Sequence, residues 1–129
     1  MSEKEKQANN EANQEAVASL IKKIGKNVLK LSVPITAGGE EVSELPFDFN
    51  ALTGWEYAKA LDGDPDATNA FRLSSKQALC LFAAAVQKTG KGIDERDVLE
   101  RLSAVDAVRA VKQAVVFFNA SGRLEGRLI

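Results

Sequence analysis

Leu29-Lys30-Leu31-Ser32-Val33-Pro34-Ile35, followed by Thr36-Ala37-Gly38-Gly39 and the run from Glu41 to Phe47, is the stretch on which the fold turns. Apolar residues take every second position from Leu29 to Ile35, the mark of a strand with one covered face. Thr36 to Gly39 is turn material, because glycine reaches positive φ without steric cost. Glu41 to Phe47 supplies the returning strand, so a β-hairpin is expected. Pro34 has no N–H to donate to a ladder, which places its strand at an edge there.

Downstream of Leu52 the periodicity is helical throughout. Thr53 is an N-cap for a helix over Gly54 to Leu61, with Glu56 at the capping-box position. Asp62-Gly63-Asp64-Pro65 ends that helix, and Pro65 suits the first turn of another short one. Ser74 and Gln77 form a second capping box and open a helix to about Thr89. Its residues Ala78, Leu79, Leu81, Phe82, Ala85 and Val86 cover more than a stripe, which predicts deep burial. Gly90 and Gly92 break it, and Asp94 caps a short helix to about Leu102.

Ser103 begins the last helix, predicted to end near Asn119. Ala104, Val108, Val111, Val115 and Phe118 share one face, and Ala107, Ala110, Ala114 and Phe117 widen it. Asp106, Arg109, Lys112 and Gln113 form the only polar strip. A helix apolar over so much of its circumference is either central to the domain or covered by another subunit. The fold class predicted is α+β, predominantly α-helical, with an N-terminal β-hairpin followed by a compact helical bundle.

The chain has 129 residues, 45% of them hydrophobic and 27% charged, which suits one domain with its own core. Residues 1–14 are polar and read as a flexible arm. Over 15–25, Val17, Leu20, Ile21 and Ile24 mark one face of a short amphipathic helix, with Gly25 as its stop. A single hairpin-plus-helices domain is expected over 26–120, with a loose tail over 121–129.

The residue inventory argues against catalysis. There is no histidine, so the usual base for activating a thiol or hydroxyl is missing. The single cysteine, Cys80, reads as a small buried hydrophobe in preference to a reactive thiol. A zinc site has no ligand set to draw on. Gly38-Gly39 and Gly90-Lys91-Gly92 lack the context of a phosphate loop. Asp62, Asp64 and Asp66 lack the glycine and distal glutamate of a calcium loop. Glu40, Glu41 and Glu44 carry nothing that singles them out for acid–base work. No cofactor or metal is expected.

Partners are constrained by charge. Between Glu40 and Asp66 eight acids face one base, and after Ala67 ten bases face six acids, leaving −7 followed by +4 within a net charge of −1. The C-terminal bases are interleaved with acids, unlike the concentrated patch of a nucleic-acid binder. The bipolar distribution favours contact between copies. No apolar stretch approaches the roughly 20 residues of a membrane span and no signal peptide is visible, so a cytoplasmic protein without membrane contact is expected. The candidate protein-interaction residues are Val108, Val111, Val115, Phe118 and Trp55. For Trp55, core packing is the favoured alternative to partner contact.

Three stretches carry a family resemblance. The hairpin Leu29 to Ile35, with Gly38-Gly39-Glu40-Glu41-Val42-Ser43-Glu44-Leu45, resembles the opening of the tail assembly chaperones of tailed bacteriophages and prophages. Phe47-Asp48-Phe49-Asn50-Ala51-Leu52-Thr53-Gly54 is similar to that family's link into its first helix. Leu102-Ser103-Ala104-Val105-Asp106-Ala107-Val108, running on to Val116-Phe117-Phe118, resembles its closing helix. The likeness spans about Val28 to Asn119 and leaves out the N-terminal arm. It implies a non-catalytic chaperone that binds the tape measure protein, helps recruit tail tube subunits, self-associates, and is absent from the mature virion. The alternatives are a small helical DNA-binding regulator and a head–tail connector subunit. The first could place a helix-turn-helix over Ser75–Thr89 and Asp94–Leu102, although Asp94, Glu95, Asp97 and Glu100 would repel phosphates.

Overall fold

The computed structural model describes residues 25–62 and 73–128, together with Ala16, and side chains as far as Asn119. The amphipathic helix expected over 15–25, apart from Ala16 and Gly25, and the short helix expected from Pro65 lie outside the described residues. Strand β1 (Lys26–Ala37) and strand β2 (Glu40–Asp48) form an antiparallel hairpin. A single 3₁₀ turn over Phe49–Ala51 leads to helix α1 (Gly54–Asp62). Helices α2 (Ser75–Gln87), α3 (Glu95–Arg101) and α4 (Ala104–Leu128) follow. The predicted α+β class, a hairpin followed by helices, is what the chain adopts.

Local chemistry sets most of these boundaries. Gly38 and Gly39 turn the hairpin at φ of 60° and 81°, where a side chain would be strained. Thr53 and Glu56 exchange backbone and side-chain hydrogen bonds at 3.1 and 3.2 Å, the expected capping box of α1. Ser74 and Gln77 do the same for α2 at 2.9 and 3.1 Å. Asp94 caps α3, with Asp97 closing its box.

The strand register runs Leu29 to Leu45 and Lys30 to Glu44, then resumes at Ile35 to Val42. Residues 31–34 therefore bulge out against Ser43 alone. Pro34 falls inside this bulge, where a missing donor breaks no rung of the ladder.

Above the hairpin lies an aromatic core. Phe47 and Phe49 are 5.1 Å apart, Phe82 of α2 stands 5.1 Å from Phe47, and Phe117 of α4 stacks on Phe49 at 5.1 Å. Each buried phenylalanine contributes about 1.5–3 kcal/mol through the surface it withdraws from water. Helix α2 is the central element, buried from Gln77–Ala78 through Leu81–Val86 as its sequence predicts. At the entry to β1, a Cβ on Gly25 would meet the Asn50 amide and lie 2.7 Å from the Phe117 ring. Close approach, beyond helix termination, thus requires glycine there.

Helix α4 departs from expectation at its end. It continues to Leu128 instead of stopping near Asn119, so the tail predicted as loose is helical over most of its length. Gly122 and Gly126 each cost roughly 1 kcal/mol against alanine, but Arg123, Leu124 and Glu125 between them and Arg127 beyond are good helix formers and no proline intervenes.

Candidate interaction surface

The first turn of α4 is fixed by one carboxylate. Asp106 is fully buried, and its oxygens accept from the Ser32 amide at 3.0 Å and the Val33 amide at 3.1 Å. These are donors that the bulge removes from the strand ladder. Ser103 completes the arrangement: its hydroxyl donates to Asp106 at 3.0 Å and accepts from the Asp106 amide at 3.2 Å. Arg109 donates to Asp106 at 3.1 Å and to the Lys30 carbonyl at 2.6 Å. Burial alone would raise the Asp106 carboxyl, but the Ser32 and Val33 amides and the Ser103 hydroxyl outweigh it and hold it at about 2. The expected polar strip is corrected accordingly. Asp106 points inward as a tie between helix and hairpin, because the bulge offers it donors that solvent would otherwise satisfy.

This tie sets the rotation of α4. Asp106, Ala110, Ala114 and Phe117 face the interior. Val111, Val115 and Phe118 lie along the flank, half-buried against the core, with Phe118 5.3 Å from the Tyr57 ring. Val108 is 69% exposed, and so the five-residue face read from the sequence divides. Val105, at 63% exposure, and Val116, at 46%, share the outward side with Val108. They were not singled out in the sequence. Their spacing from Lys112, at one to two helical turns, was the available signal.

Trp55 is 77% exposed, which corrects the core reading favoured for it. Helix α1 buries none of its residues. It is held by the Tyr57–Phe118 contact, by the Lys88–Glu56 ion pair at 2.9 Å, and by the Gln77 amide donating to the Leu61 carbonyl at 3.0 Å. Two residues along a helix is about 200° of rotation. Turning Tyr57 onto the core therefore turns Trp55 away from it.

Between α1, α2 and the start of α3 lies a cleft of about 290 Å³, lined by Glu56, Lys59, Cys80, Ala84 and Glu95 among others. Cys80 is half-buried there instead of enclosed, a correction that follows from its place on the rim of α2. The bond to Lys88, first among the causes, holds the Glu56 carboxyl below its ordinary value, helped by the Thr53 amide. Asp64 and Asp66 of the aspartate cluster lie outside the described residues. No helix among the described residues is long and apolar enough to cross a membrane.

No family model, curated protein or solved structure matches this chain.

Proposed function

We propose that this protein is a non-catalytic tail assembly chaperone of a tailed bacteriophage or prophage. It works in the host cytoplasm, binds the tape measure protein, helps bring tail tube subunits to it, and is left out of the finished virion. The family likeness of the hairpin, the linker and the closing helix suggests the role. The observation that carries it is Trp55, a large aromatic standing in solvent on a helix with no fully buried residue. Tryptophan is enriched among the residues that dominate protein interfaces, and its single occurrence here is spent on the surface. Half-buried Phe118 holds α1 through the Tyr57 ring and acts through its placement, while Val111 and Val115 pack against the core. A holder of this kind needs no reactive group, and several copies along one client add avidity.

The test is co-expression with the tape measure protein of the same phage or prophage. The chain should raise the soluble fraction of that client, and Trp55→Ala should remove most of the gain while the circular dichroism spectrum stays unchanged. A client whose solubility is indifferent to the wild-type chain sinks the proposal, as does recovery of this protein from purified particles.

A further inference from the structure

Helix α4 keeps one apolar face out of the fold. Val108, Lys112 and Val116 follow at intervals of four residues and form one ridge of the helix surface, and Val105 and Arg109 start the row beside it. All three valines stand in solvent. Valines gathered on one side of a helix over about three turns are more apolar surface than a solvated face ordinarily carries, since that face is polar or charged in a helix serving only its own core.

The charge on this face has one sign. Among the described side chains of α4 the charged residues are Asp106, Arg109 and Lys112. Asp106 is turned inward and fully buried, held by the Ser32 and Val33 amides and by Ser103. Arg109 gives one hydrogen bond to Asp106 and still has 44% of its side chain exposed. Lys112 makes no ion pair among the described residues. The tie that draws the only acid inward thus leaves a valine ridge marked by positive charge alone.

We infer that this face docks an acidic amphipathic helix of a partner protein. Apolar side chains of the partner enter the grooves on either side of the Val108–Lys112–Val116 ridge, and a carboxylate on its flank pairs with Lys112. A ridge of four-residue spacing on one helix is matched by the grooves of another. Two bases are too few to follow a phosphate backbone. Helices that lie in a membrane surface bury tryptophan, phenylalanine or leucine, and this ridge offers only valine. Two copies of α4 laid face to face set Lys112 against Lys112, so the ridge is not matched to itself. Trp55 is on another helix and takes no part, so this inference and the client reading stand or fall separately.

Fluorescence anisotropy with two labelled helical peptides and the full chain tests the inference. Both peptides carry leucine at i, i+4 and i+7; glutamate flanks the leucines in one and lysine in the other. The acidic peptide should bind about tenfold more tightly than the basic one, because it gains attraction to Lys112 and Arg109 where the other meets repulsion. Added salt should narrow that gap, since exposed charges are screened beyond about 8–10 Å. Val108→Asp with Val116→Asp should abolish binding while the circular dichroism spectrum stays unchanged. Lys112→Glu should reverse the preference toward the basic peptide, and Trp55→Ala should bind as the wild type does. An acidic peptide that fails to bind overturns the inference, as does equal binding of both peptides or a Lys112→Glu chain with the wild-type preference. Peptide affinity that falls as protein concentration rises marks a second copy as the occupant, and capture by phosphatidylglycerol vesicles without peptide binding marks a membrane surface. Either result overturns it equally.

Discussion

Helices α2 and α4 are written in nearly the same alphabet of alanine, valine, leucine and phenylalanine, yet they end in opposite surroundings. Over Leu81–Val86 every residue of α2 is buried, because the hairpin, α1, α3 and α4 all pack against it. Over its described side chains, helix α4 has cover on one side only and leaves Val105, Val108 and Val116 in solvent. Composition states how much apolar surface a helix carries, while its position in the chain's topology determines how much of that surface the chain itself can cover. Apolar residues on α2 therefore contribute to stability, and those on the outer side of α4 are available for association.

Substitutions can break that contrast, beginning with the largest effect. Phe82→Ala empties the space beside Phe47 and Phe49 and should cost about 3–5 kcal/mol in chemical denaturation. A loss below about 1 kcal/mol would show that α2 is not the central helix. Asp106→Ala strands the Ser32 and Val33 amides and should cost about 2 kcal/mol by the same measurement.

Asp106 also predicts a pH dependence. Its folded value of about 2 lies below the ordinary 3.8, so its contribution is present above pH 3.8 and is lost as pH falls toward about 2. The acid limb of the unfolding midpoint should flatten in Asp106→Ala; an unchanged limb would remove the carboxylate from its assigned role. At the small end, Val105→Asp on the outer side of α4 should shift stability by no more than about 0.5 kcal/mol, as expected for an exposed position. A loss of several kcal/mol there would mean that α4 is covered within the monomer and would erase the difference between the two helices.

What the sequence disclosed follows the reach of each interaction. The hairpin turn and the caps at Thr53, Ser74 and Asp94 were legible because their partners sit within three residues. The burial of α2 was legible because apolar residues surround it. The inward face of α4 was not, since Asp106 beside Arg109 looks like a solvated pair until Ser32 and Val33 arrive from 74 and 73 residues away. Of the five candidate interaction residues, Val108 and Trp55 reach the surface, and Val111, Val115 and Phe118 lie half-buried against the core. That division depends on the rotation the Asp106 tie imposes, which no local pattern contains. The aspartate three residues after Ser103, combined with a proline in a strand that then needed relief, was the faint clue to it.

The same tie has a consequence for how the chain is made. A two-stranded hairpin is marginal alone in water. Here its bulged middle waits for a carboxylate translated 74 residues later. At about 5–20 residues per second of synthesis, the hairpin is outside its final setting for roughly 4–15 s. The hairpin, made well before α4, is thus among the last of the described elements to be secured, and it stays open until α4 begins.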